Sequence, residues 1–188
     1  MALSVLVEMA LVRARWPPDP GGMMSRYDET TALQASNGWR VRPIERADFD
    51  QWLPLWDGYN AFYGRSGATA LPTDVTRMTW ARFLDAYEPV HALVAESGRE
   101  LIGLAHYLFH RNTISLMPDC YLQDLFTIAP ARGRGVGLGL ITAVNERART
   151  LGAARVYWHT QATNETARRL YDKVAELPGF VLYRQPLP

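Results

Sequence analysis

Ala131-Arg132-Gly133-Arg134-Gly135-Val136-Gly137-Leu138-Gly139-Leu140 places four glycines at alternate positions and then runs into an apolar stretch. Just before it, Tyr121-Leu122-Gln123-Asp124-Leu125-Phe126-Thr127-Ile128 reads as a strand. Just after it, Val136, Leu140, Ile141, Val144, Ala148 and Leu151 recur at helical spacing, with Gly152 as C-cap. Strand, glycine loop and helix N-terminus together make an anion site, because bare loop amides and the helix dipole both favour negative charge. Arg132 and Arg134 add fixed positive charge. The expected ligand carries phosphate.

Spacing decides which kind of phosphate loop this is. A nucleotide-triphosphatase loop ends in Gly-Lys-Ser/Thr, a tripeptide this chain lacks. A dinucleotide fingerprint wants glycines at its first, third and sixth positions, and both frames put leucine sixth, Leu138 or Leu140. The pattern that fits is Arg-x-x-Gly-x-Gly, filled by Arg132, Gly135 and Gly137. It resembles the acetyl-coenzyme A pyrophosphate loop of the GCN5-related N-acetyltransferases (GNAT). On its own it is also what a glycine-rich turn feeding a buried helix looks like. A second motif downstream carries the resemblance further: Asn164-Glu165-Thr166-Ala167-Arg168-Arg169-Leu170-Tyr171, then Gly179-Phe180. Asn164 suits a helix start, and strand-like Arg155-Val156-Tyr157-Trp158-His159 joins the two motifs. The resemblance is specific over residues 120–183 and loose over 39–119.

The chain has 188 residues and a formal net charge of +1, which predicts one globular domain and no nucleic-acid partner. The single cysteine, Cys120, excludes an internal disulfide framework and suits a reducing cytosol, so a cytoplasmic protein is expected. No apolar run reaches membrane-spanning length, and no membrane partner is expected. Residues 1–38 read as an extension, partly disordered, a short helix plus linker around Trp16-Pro17-Pro18-Asp19-Pro20-Gly21-Gly22; Met23 or Met24 is an alternative start. Residues 39–188 read as the domain.

Within it, Trp39-Arg40-Val41-Arg42 reads as a strand. Asp48 to Tyr63 reads as an aromatic-faced helix made irregular or broken by Pro54 and Gly58. Asp74 to Tyr87 reads as a second helix with Met78, Phe83 and Leu84 inward. Val90 to Ala95 and Leu101 to Phe109 read as a hairpin about Ser97-Gly98-Arg99. The order is α/β. The resemblance implies a GNAT fold: a mixed, mostly antiparallel central sheet of six to seven strands, flanked by about four helices, with the fourth and fifth strands splayed.

Acetyl transfer from a thioester to an amine needs a polarised carbonyl, a departing thiolate, a neutral amine and both partners held in line. The resemblance implies that the fourth strand carries a bulge and that the pantetheine arm lies between Phe126-Thr127-Ile128 and Tyr157 to Thr160. A backbone N–H near Phe126 or Thr127 would polarise the carbonyl. Arg132, Gly133, Arg134, Gly135, Val136 and Gly137 would hold the pyrophosphate, with Gly139 serving helix packing. Tyr171 stands where the family places the hydroxyl that protonates the thiolate, and Asn164 where a side chain bonds the pantetheine arm or its own helix.

The strand Tyr121-Leu122-Gln123-Asp124 resembles that of the polyamine acetyltransferases, which carry Tyr-Leu-Glu-Asp. Here Gln123 replaces the glutamate, and an amide takes no proton at neutral pH. Asp124 keeps the acid that draws an ammonium. His159, Glu88 and Asp119 are alternative proton acceptors, and a chain of waters needs none of them. The spacer 172–178 before Gly179 is similar to the Hpa2-like enzymes that act on small amines, amino acids or basic peptides. Trp56, Tyr59, Tyr63, Trp80 and Tyr107 would line an acceptor pocket, or else form core or dimer interface.

The expected activity is acetyl-coenzyme A-dependent N-acetylation of a primary amine (small amine, polyamine or amino acid) by direct attack in a ternary complex, with no metal. Acetylation of a protein or peptide, and a non-catalytic coenzyme A-binding module, are the alternatives. A homodimer is the expected assembly.

Overall fold

The computed structural model describes residues 33–35 and 38–187. The helix and linker expected in the extension, and Met23 and Met24, lie outside the described residues. The described residues form two compact units, one ending at Tyr157 and one beginning at Trp158.

The first unit holds a mixed six-stranded sheet in the order β1-β2-β3-β4-β5-β6. Its strands are β1 (Leu33–Ala35), β2 (Trp39–Pro43), β3 (Val90–Ser97), β4 (Glu100–His110), β5 (Asp119–Thr127) and β6 (Arg155–Tyr157). Neighbours are antiparallel up to β5, and β6 joins β5 in parallel. Residues from Trp39 onward supply five strands, and the sixth comes from the stretch read as extension, turning back at Gly38 (φ +78°). No strand forms at Gly179-Phe180, after the last motif. Phe180-Val181-Leu182-Tyr183 has the composition of a strand, but 178–187 pair with no ladder. Strand propensity is expressed only where a pleated neighbour exists.

Every residue of β4 from Leu101 to Tyr107 is buried, so both sheet faces are covered. Helix α1 (Phe49–Phe62) lies over the face of Leu104 and packs Trp52, Leu55, Trp56 and Tyr59 against Ile44, Ala92, Val94 and Leu101. Pro54 does not break it. A proline inside a helix costs one ladder bond, and here its ring sits on the exposed side while the aromatic stripe opposite anchors the turns around it. Helix α2 (Thr73–Phe83) turns Trp80 and Phe83 toward Trp52, with ring centroids 5.0 and 5.9 Å away. Met78, expected inward, is 55% exposed. It lies two residues before Trp80, about 200° around the helix from the packed side.

Helix α3 (Val136–Thr150) covers the other face through Val136, Leu140, Ile141, Ala143, Val144 and Ala148. Gly103 permits this approach, since a Cβ there would lie 3.2 Å from the Leu140 side chain and 2.9 Å from the Phe126 carbonyl oxygen. Gly139 does the same from the helix side: an added Cβ would collide with the Trp39 ring. Below the sheet edge, Arg42 donates from both terminal nitrogens to Asp48 at 2.7 and 2.8 Å, a bidentate pair that ties β2 to the turn leading into α1.

Candidate active site

The glycine loop sits between β5 and α3. Gly133 and Gly135 both have left-handed backbone, φ +75° and +81°, which other residues adopt only with strain. Gly135 is the residue that opens α3. Among the described residues, the amides of residues 133–138 donate to no backbone carbonyl, whereas Gly139 closes the first helical bond onto Gly135 at 2.9 Å. These amides lie at the positive end of a 15-residue helix, the end whose first N–H groups have no partner within the helix. Trp39 Nε1 donates to the Arg134 carbonyl at 3.3 Å and Arg132 Nε to the Thr127 carbonyl at 3.3 Å, which fixes both ends of the loop. Loop amides at a helix N-terminus favour negative charge.

Strand β5 is bulged and open on one side. His106 faces Asp124 and Tyr107 faces Leu122, so Gln123 is the extra residue of a β-bulge. Pairing with β6 covers only Asp119, Cys120 and Tyr121 and ends just before that bulge. Residues 122–127 pair with no strand on that side among the described residues. The amide of Ile128 donates to Ile102 on the β4 side, and the Phe126 carbonyl oxygen also points at β4. Alternation then directs the Thr127 N–H to the open edge. Of the two amides the sequence offered, Thr127 has the free direction.

Three residues bring Asp124 into focus. Its carboxylate, 7% exposed, lies 3.0 Å from His106 Nδ1, and the Tyr59 phenol is near enough to feel its charge. Trp52 Nε1 donates to His106 Nε2 at 3.0 Å, so the imidazole proton sits on Nδ1 and His106 donates to Asp124. Among the described residues no Lys or Arg forms an ion pair with Asp124. Burial and the nearby Asp124 push the Tyr59 and Tyr63 hydroxyls up from their ordinary value, so both stay neutral phenols. Tyr121 is raised likewise, by burial and then by its phenolic and acidic neighbours. Trp56 stacks on Tyr59 with centroids 5.5 Å apart, and its indole N–H is buried with no partner among the described residues.

The remaining candidates are distributed differently. Trp56 and Tyr59 on α1 and Tyr63 just past its end lie near Asp124, but Trp80 packs against Phe49 and Trp52. Tyr107 contacts His91 and Phe109, away from the face of its β4 neighbour His106, because successive strand residues face oppositely. Asp119 is committed to Arg155 and Asn112, and Glu88 lies 3.7 Å from Arg82. Gln123 is exposed. His106 and Trp52 escaped the sequence reading because the register that joins them to Asp124 depends on the bulge. Burial pushes the Cys120 thiol up to about 12, which keeps it protonated and unreactive at neutral pH.

In the second unit, Asn164 opens α4 (Glu165–Tyr171). Its Oδ1 accepts from the Ala167 amide at 3.4 Å and its Nδ2 donates to Thr160 Oγ1 at 3.1 Å. The Tyr171 ring meets Trp158 edge-on at 5.3 Å. His159, expected on the strand, lies beyond it, since β6 stops at Tyr157, and is exposed.

The sequence profile described as "Acetyltransferase (GNAT) family" matches residues 52–175, which include the glycine loop, the Asp124 strand and the Asn164 motif. The chain belongs to the GNAT family. This acetyltransferase is 38% identical over 148 residues to the D-amino-acid N-acetyltransferase HPA3 of Saccharomyces cerevisiae, a match covering 77% of this chain and 89% of that protein. It is 30% identical over 154 residues to the uncharacterized N-acetyltransferase YhfO of Bacillus subtilis, covering 79% and 97%. Among solved structures, a probable acetyltransferase superposes with a TM-score of 0.69 at 23% identity, covering 79% of this chain and 98% of that one. The aminoglycoside acetyltransferase AAC(6')-Iy, in complex with a bisubstrate analogue of coenzyme A, superposes at 0.67 with 18% identity, covering 80% and 99%. The α/β expectation, the mixed sheet and the N-acetyltransferase assignment hold.

Proposed function

We propose that this acetyltransferase moves the acetyl group of acetyl-coenzyme A onto the primary amine of a small molecule, by direct attack with both substrates bound. The observation that carries this reading is the buried Asp124 carboxylate, ringed by phenols, on the strand whose open edge leads to the glycine loop. Acetyl-coenzyme A, when bound, supplies the activated acyl group; the protein supplies grip and polarity. The amides of residues 133–138, with Arg132 and Arg134, hold the pyrophosphate. The Thr127 N–H polarises the thioester carbonyl, and Phe126, Thr127 and Ile128 line the arm. Asp124 takes the ammonium form of the acceptor and keeps its nitrogen in place while the proton leaves to water, which relieves Gln123 of the role a glutamate would have. The unreactive Cys120 favours direct attack over an acyl-enzyme.

Tyr171 is assigned the thiolate proton, and Asn164 the pantetheine arm or its own helix; their positions in the Asn164–Tyr171 motif support both. His159, exposed past the end of β6, is the weaker proton acceptor beside water. The HPA3 relative supports an amino-acid acceptor over a protein one, and the one buried cysteine supports a cytoplasmic setting. Thiol release from acetyl-coenzyme A should be measured against polyamines, monoamines, amino acids and basic peptides. Turnover with small amines is expected, and Tyr171→Phe should lower it at least about tenfold. Coenzyme A binding without release for any amine would leave only a ligand-binding module.

A further inference from the structure

The tyrosines that surround Asp124 also touch a cation. Arg65 follows α1 by three residues, and its guanidinium lies 5.8 Å from the Tyr59 ring centroid and 5.4 Å from that of Tyr63. Its Nε donates to Asn60 Oδ1 at 2.7 Å, and Asn60 Nδ2 in turn donates to the Trp56 carbonyl at 2.8 Å. That chain of bonds fixes the guanidinium plane, while its two terminal nitrogens have no partner among the described residues. Tyr59 thus lies between an acid and a base: its phenol feels the Asp124 charge, and its ring carries Arg65. Its acidity reports the same opposition, raised by burial and Asp124 and lowered by Arg65, and the same holds for Tyr63. Asp124 and Arg65 do not pair with each other. The phenols of buried Tyr59 and partly exposed Tyr63 neighbour both groups, and Trp56 stacks on Tyr59.

We infer that this is a dipolar acceptor site, built for a zwitterion: Asp124 receives the ammonium to be acetylated, and Arg65 receives a carboxylate carried by the same small molecule. The inference rests on the acetyltransferase reading of Asp124 and narrows it from amines in general to α-amino acids and similar amino carboxylates. A fixed guanidinium fork matches a carboxylate bidentately, which an ammonium point charge does not. The phenol faces would pack the substrate's carbon chain. A polyamine, by contrast, would bring a second positive charge toward Arg65 and be repelled.

The experiment compares an amino acid, its primary amide and a monoamine of equal length, first by calorimetric binding to the coenzyme A-loaded protein and then by thiol release. The amino acid should bind at least about tenfold more tightly than its amide, the difference a charge-assisted bidentate contact supplies. Arg65→Gln should collapse that ratio toward one, and Arg65→Lys should restore part of it. Equal binding of acid and amide by the wild type, or a ratio unchanged in Arg65→Gln, would overturn the inference. The two readings fail separately. Turnover of amines without any carboxylate preference removes only the zwitterion, whereas selective binding of amino acids without thiol release removes only the catalysis.

Discussion

His106 takes no part in any motif, yet it decides what Asp124 is. An imidazole that accepts from Trp52 at Nε2 can only donate at Nδ1, so the acid always finds a donor on that side. Replacing it with phenylalanine keeps the ring among Trp52, Trp56 and Phe83 but leaves the Trp52 N–H buried and unpaired. His106→Phe should therefore cost about 1–3 kcal/mol in chemical denaturation. It should also raise KM for the amine more than it lowers kcat, because Asp124 loses a positioning partner. A kcat loss alone would point to the acyl donor side instead. At this scale the sequence was half legible. Asp124 could be read from Tyr121-Leu122-Gln123-Asp124, but its partners come from α1 and β4, brought together by a register that one bulged residue shifts.

At the scale of elements, the glycine run divides into two jobs that its alternate spacing hides. Gly135 needs its left-handed backbone, whereas Gly139 needs its lack of a side chain against Trp39. Gly139→Leu should lower stability by about 1–3 kcal/mol through overpacking, read as a drop in Tm. Gly135→Trp should weaken coenzyme A binding, read by calorimetry, and unchanged affinity would refute the cradle. The sequence anticipated this division, because α3 carries a clear apolar period. It did not anticipate that α1 would run unbroken through Pro54, or that Leu33–Ala35 would pair as a strand while Phe180-Val181-Leu182-Tyr183 would not. Breakers and propensities are local, and tertiary packing overrode them in all three places.

For the molecule as a whole, family and fold were readable from two short motifs in the right order, since both are written in backbone-specific residues. Its response to acid was not, because that depends on burial. His91 is packed against Tyr107 and Phe109. Burial, and then Arg147, push its imidazole down from 6.5 to about 4. The folded state thus prefers the neutral ring, while the unfolded chain takes up a proton below 6.5. The stability this ring contributes is complete above 6.5 and is lost as the pH falls toward about 4. His91→Gln should flatten the slope of unfolding free energy across that window, measured by denaturant titration at several pH values; an unchanged slope would assign the acid response to other groups.

The bulge at Gln123 has a consequence for solubility. Because pairing with β6 stops at Tyr121, residues 122–127 present a ladder edge in the interior of a sheet rather than at its rim. Such an edge accepts any extended backbone, including that of a neighbouring molecule. The same unpaired ladder is therefore an invitation to self-association. A ligand that occupies it should act as a guard against aggregation as well as a substrate, and light scattering on heating should fall as coenzyme A is added.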